Sequence, residues 1–286
     1  MGDFFNALSF MMPAVVVYIM LVLICGYVGM HVIMREVIFI DIALAQVAAL
    51  GATMAMYFNL ELNNPWTYVL SLGATLLGAF ILSGTRRLSS LAPQEAFIGI
   101  MYVTGAAAIM LLGSGDKISD PEHVKELMAG PIFILWKDVG IHGLVYLALA
   151  VAYIFSHGKL LQISRDPQEA KEQGIRLVLW DFIFYAILGV LVTFAVRVAG
   201  VLLVFGFLIV PAVIGSLYGK SFFGRLVMAW SAGIIVVLLS TLVYIPLDFP
   251  PGGTLVVCLG VVLLLLAVVR GIGLKTNDRK AQAGGA

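Results

Sequence analysis

Residues 177–196 read LVLWDFIFYAILGVLVTFAV and residues 200–218 read GVLLVFGFLIVPAVIGSLY, two apolar stretches parted only by Arg197, Val198 and Ala199. A helix needs about 20 apolar residues to cross about 30 Å of hydrocarbon, and each stretch supplies them. Similar stretches lie near 11–34, 37–57, 66–84, 96–113, 139–156, 226–246 and 253–270. The chain therefore reads as an all-α, polytopic membrane protein of about eight to nine transmembrane helices. The first stretch lacks a basic leader and a second follows almost at once, so it reads as a span rather than a cleaved signal peptide.

Composition agrees with that reading. Of 286 residues, 62% are hydrophobic and only 12% charged, where a soluble domain averages about 25% charged. Seventeen Lys and Arg against sixteen Asp and Glu leave a net charge of +1, which excludes a nucleic-acid binder. Cys25 and Cys258 sit inside apolar runs and read as packing residues.

Thirteen of the seventeen basic residues fall on one side of the alternating spans: Arg35, Arg86, Arg87, Lys159, Arg165, Lys171, Arg176, Lys220, Arg225, Arg270, Lys275, Arg279 and Lys280. The other side holds Lys117, Lys125, Lys137 and Arg197. The positive-inside bias makes the first side cytoplasmic, with the C-terminus on it. Loops are short, so residues 1–286 form a single transmembrane domain, with a cytoplasmic loop at 157–176 and a tail at 271–286 that reads as a frayed end.

Enzyme motifs fail on inspection. Gly215 to Ser221 has three residues between its glycines where a phosphate loop needs four, and it follows an apolar helix rather than a strand. Gly113-Ser114-Gly115-Asp116 spells part of an intramembrane aspartyl protease motif, but Asp116 falls in a polar loop with Lys117 and Asp120. An intramembrane enzyme is the lesser alternative. Of the ionisable groups within reach of the membrane, Asp41 lies one turn into the second stretch. Glu95 and Asp181 lie at helix starts, where an acid favours the helix dipole. His31 is a lone histidine near the end of the first span. No arginine ladder and no carboxylate chain is present, which favours a conduit driven by a partner.

The loop from Ile163 to Gly174 is a capped short helix in outline. Asp166 reads as N-cap, Pro167 as the first position, Glu169 as the partner in a capping box and Gly174 as the stop. Here the chain resembles the permease subunits of the metal-type (zinc, manganese and iron) ABC importers. Their coupling loop is similar to Asp166, Ala170 and Gly174. Their hallmark span resembles Gly200 to Ala212, their penultimate loop Tyr244 to Gly253, and their central stretch Leu127 to Leu135.

The resemblance implies an ABC importer permease fold and a permease that binds no cofactor of its own, carrying a divalent metal ion as substrate. It implies a homodimer in the inner or plasma membrane of a prokaryote, with an extracytoplasmic metal-binding protein as partner. A separate cytoplasmic ATPase would be coupled through Asp166, Glu169, Ala170 and Gly174. The family places Asp and His four apart in the second span. Here Ile42 stands at the aspartate position and Gln46 at the histidine position, with Asp41 one place early. Asp41 and Gln46 are then the implied pathway residues, about 140° apart on a regular helix. A carboxylate and an amide oxygen are harder ligands than imidazole and suit manganese. An ABC permease for a non-metal or chelated solute stays open as the alternative.

Overall fold

The computed structural model describes residues 2–60, 64–113, 134–247 and 249–283. Helices make up nearly all of them, and no strand occurs among the described residues. In lipid a backbone must satisfy its own polar groups, which a helix does within itself. The order is α1 (Gly2–Met34), α2 (Ile40–Tyr57), α3 (Pro65–Thr85), α4 (Gln94–Gly113), α5 (Trp136–Arg165), α6 (Pro167–Glu172), α7 (Leu177–Tyr218), α8 (Phe222–Leu247) and α9 (Pro251–Ala283). All but the short α6 are long and apolar enough to cross a membrane, eight helices among the described residues.

α7 holds two legs. Early in α7, Asp181 meets Arg86 just past the end of α3. Sixteen residues on, the Arg197 guanidinium lies 3.5 Å from the ring centroid of Tyr68, in the first turn of α3. The first leg thus runs the length of α3. Past α7, Phe222 packs on His31 and His157 with ring centroids 5.5 and 5.6 Å apart, back at the end where it began. The reversal falls at Gly200, whose φ of 75° and ψ of 159° interrupt the helix. That region of backbone space is essentially closed to residues with a Cβ. The two legs match the two stretches that opened the sequence reading, and among the described residues nine legs then alternate between a basic end and its opposite.

The core is built around α7, whose most apolar window is 72% buried, against 11% for α4 and for α9. α1, α2, α3, α5, α8 and α9 all pack on it. Close approach rests on small residues and short polar links. A Cβ on Gly51 of α2 would meet the Leu70 carbonyl oxygen and Ser71 Cα of α3 at 2.7 Å each. Beside it, the Ser71 hydroxyl donates to the Ala48 carbonyl at 2.8 Å. Thr75 of α3 meets Thr193 of α7 at 3.2 Å.

Two boundaries differ from the sequence reading. α5 stays helical to Arg165, so residues 157–165 belong to a span and only Asp166 to Arg176 form the connection. Leu160 and Ile163 are fully buried there, which carries the helix on. α9 runs to Ala283, through the tail read as frayed. The outer segment Asp116–Glu126, the family-like stretch through Phe133 and Asp248 lie outside the described residues.

Replacing Gly200 with alanine is expected to cost about 1–3 kcal/mol, the range for a forced backbone conformation. Gly260, where an added Cβ meets nothing within 4 Å, supplies the control. Thermal melting of the two alanine variants in detergent checks this, and equal melting would remove the reversal from Gly200.

Candidate functional site: the basic end and the α2 face

At the basic end, α6 begins where α5 stops. Asp166 is the C-cap of α5 and the N-cap of α6, and its Oδ1 accepts from the backbone N–H groups of Gln168 (2.8 Å) and Glu169 (3.0 Å). Pro167 occupies the first helical position, where its missing N–H costs nothing. Gly174, at φ 79°, ends the turn. Glu169 does not reach back as a capping box would: its carboxylate accepts from Gln173 at 3.1 Å, one turn on. Ala170 faces inward, 2% exposed, and anchors the helix to the bundle. A groove of about 970 Å³ runs beside α6, its wall apolar at Phe80 and Phe182 and its charged rim Arg86, Arg87, Lys171 and Arg176.

Behind α6 lies a buried polar cluster that joins four helices. The Asp181 carboxylate accepts from Arg35 Nη1 at 2.7 Å and from Arg86 Nη1 at 2.5 Å, and it is fully buried. Arg35 also donates through Nε to the Ser164 hydroxyl at 2.9 Å, and it lies 4.4 Å from the Phe184 ring centroid. Burial pulls the Arg35 guanidinium below its ordinary pKa, and the Asp181 carboxylate pushes it back up. Asp181 is thus an ionic anchor, and the dipole role read from its position near a helix start understates it. Ser164 lies two residues before Asp166, so the cluster reaches to the foot of α6.

On α2, Asp41 is 2% exposed and Gln46 7%. The helix is unbroken over Ile40–Tyr57, so the two side chains keep their angular separation and do not converge on one point. Gln46 packs toward Gly105 of α4, where an added Cβ would stand 3.3 Å from Gln46 Cβ. Asp41 lies within electrostatic reach of Glu95, at the start of α4. Asp41 Oδ1 and Glu95 Oε2 are buried without a hydrogen-bond partner, while Glu95 Oε1 accepts from the Ile38 backbone N–H. A buried carboxylate oxygen with free lone pairs can hold a proton or a hard cation. No group of three or more His, Cys, Asp or Glu side chains placed for a metal occurs among the described residues. Glu95 was read from sequence only as a dipole residue, because nothing local ties it to Asp41, 54 positions earlier.

Comparison with known proteins decides what kind of machine this is. The pattern of the ABC 3 transport family matches residues 7–270. The chain belongs to the ABC 3 transport family. It is a transporter subunit and not an enzyme. Among relatives of this family member, the manganese import system permease protein ScaB of Streptococcus parasanguinis is 23% identical over 268 residues, covering 92% of this chain and 91% of that protein. The manganese transport system membrane protein MntB of Synechocystis is 24% identical over 252 residues, covering 88% and 80%. Of solved structures, PsaBC from Streptococcus pneumoniae in complex with Fab shares the fold with a TM-score of 0.76 at 19% identity, covering 93% of this chain and 94% of that one. The resemblance read from the coupling loop and hallmark span therefore holds, and so does the ABC importer permease fold.

Converting Asp181 to asparagine leaves the buried Arg35 guanidinium and the half-buried Arg86 guanidinium facing a neutral amide. Breaking a buried ion pair on one side costs about 3–5 kcal/mol, so a large drop in melting temperature is expected. Glu172→Gln, on the exposed side of α6, is expected to melt like wild type. Equal melting of the two would show that Asp181 bears no such load.

Proposed function

We propose that this chain is the permease of an importer for a divalent metal ion (zinc, manganese or iron), with manganese favoured. A relative named as a manganese import permease matches over about nine-tenths of both chains, the observation that weighs most. The oxygen character of Asp41 and Gln46 points the same way, since carboxylate and amide oxygens suit manganese better than softer metals. Glu95 joins Asp41 as a pathway residue, because its orphaned oxygen lies in the same neighbourhood.

Two copies of the chain enclose the pathway, with the weakly buried faces of α4 and α9 meeting lipid or the second copy. The basic end is cytoplasmic by the positive-inside bias, which puts the end of α9 in the cytoplasm of a prokaryotic cell. A separate ABC ATPase docks on α6, held by Asp166, Glu169, Ala170 and Gly174 beside the basic groove. An extracytoplasmic binding protein delivers the ion at the opposite end. Rocking of the helices against one another then alternates access.

A second reading keeps the architecture and changes the cargo to a chelate. The absence of an Asp–His pair on α2 favours it, and so does a structural neighbour described as a putative metal-chelate type ABC transporter, at TM-score 0.65 and 18% identity.

Uptake by the permease reconstituted with its ATPase and binding protein separates the two. ATP-dependent entry of free manganese supports the first reading. Entry of a chelate alone, with free zinc, manganese and iron all refused, overturns it. In the first case, Asp41→Asn is expected to lower uptake roughly tenfold or more, the scale of a disturbed metal partner. Normal uptake at normal membrane abundance would remove Asp41 from the path. Replacing both Asp166 and Glu169 with alanine costs the α6 cap about 1 kcal/mol and is expected to leave ATPase activity running without transport. Unchanged coupling would take α6 out of the drive.

A further inference from the structure

The groove beside α6 has a charged mouth and an apolar floor, and the pathway on α2 makes no use of it. Four cations line it and no acid does: Arg86 and Arg87 past the end of α3, Lys171 on α6 and Arg176 at the start of α7. Arg86 gives Nη1 to the Asp181 carboxylate behind the wall. Among the described residues Asp181 makes both ion pairs, so no carboxylate pairs with Arg87, Lys171 or Arg176. These three side chains are exposed. The acids of α6 turn elsewhere: Glu169 accepts from Gln173, and neither Glu169 nor Glu172 lines the groove.

Deeper in, the lining turns apolar. Phe80 lies six residues before Arg86, and Phe182 six residues after Arg176. At 1.5 Å per residue, each ring sits about 9 Å from its cation along the helix, toward the membrane interior. The two rings meet edge to face between α3 and α7, with centroids 6.0 Å apart. Phe80 also belongs to a stripe on α3 with Leu77 and Ile81, which share its face at helical spacing. All three are more than half exposed. The floor of the groove is therefore continuous with an apolar face of a membrane span.

We propose that the groove seats one anionic phospholipid from the leaflet at the basic end, its phosphate among Arg87, Lys171 and Arg176 and an acyl chain over Phe80 and Phe182. Basic recesses between spans are where anionic headgroups bind. A free phosphate would leave the apolar floor unused, and an acidic protein segment would set charge beside two aromatic rings. Gln168 and Lys171, three apart on α6, line the groove, while Glu169 and Glu172, also three apart, share another side. The lipid thus takes one side of α6 and leaves the acidic side to the ATPase. This holds whichever cargo is carried.

Native mass spectrometry of the delipidated full-length chain in detergent tests this, with dioleoyl phosphatidylglycerol and dioleoyl phosphatidylcholine titrated separately. The expected result is one phosphatidylglycerol per chain, held at least about tenfold more tightly than phosphatidylcholine. Arg87→Gln, Lys171→Gln and Arg176→Gln should each weaken that hold about fivefold, the effect of one cation near a lipid surface. Lys220→Gln, exposed at the same end but outside the groove, should change nothing. Phe80→Ala should weaken both lipids and keep the preference between them. The altered side chains are exposed, so each variant is expected to melt like wild type. Equal retention of the two lipids, or a preference that survives Arg87→Gln and Lys171→Gln together, overturns the site. Glycerol phosphate that displaces the lipid at matching concentration makes the groove a phosphate site and overturns the lipid. Loss of the lipid when the ATPase is added gives the groove to the partner protein instead.

Discussion

Asp181 pairs with two guanidinium groups, one buried and one half-buried, and the basic end of the bundle is arranged around that fact. A carboxylate with no exposure is tolerable only if paired, and here Arg35 and Arg86 reach it from α1 and from the turn after α3. Through Arg35 the same charge fixes Ser164 on α5, whose hydroxyl oxygen lies 3.0 Å from His31 Nδ1. One ion triad thus sets the positions of α1, α3, α5 and α7 relative to one another, where apolar contact alone would leave them free to slide. Lipid supplies little drive for helices to associate, so such pinning matters more here than in a water-soluble bundle.

The rest of the architecture follows from lipid as solvent. α7 is apolar on every side and sits in the middle; α4 and α9 bury little of their surface and leave residues such as Leu264 and Leu265 exposed. Polar side chains inside the bundle are short, and several bond a carbonyl one turn back in their own helix, as Thr75 does with Ser71 and Thr193 with Gly189. These satisfy themselves before they touch a neighbour. Asp41, Glu95 and His31 each keep an atom unpartnered, as do Ser240 and the hydroxyls of Tyr146, Tyr153 and Tyr244, and it is on the two acids that function is placed.

Much of the fold was legible because membrane spans are local signals. The two stretches on either side of Arg197 became two legs of one helix, and α6 could be read residue by residue from Asp166, Pro167 and Gly174. The ends were harder: α5 ran past its expected limit because Leu160 and Ile163 are buried by neighbours no local pattern reveals. Of the site, Asp41 was visible as an acid in an apolar run, and Asp166 as a cap. Glu95 as its companion and Asp181 as the anchor were not. Those pairings join positions 54 to 146 residues apart, and only the packing of helices brings them together.

The joint between α5 and α6 has a mechanical meaning. Asp166 closes one helix and opens the next, so no slack peptide separates them. A flexible linker would absorb a displacement of α6 by bending. A shared single residue passes it on, as a crank pin does between two rods. Any push on α6 must therefore turn or lift α5, and Ser164 with it. Force applied at the rim of the bundle then reaches the buried charges without crossing a compliant loop.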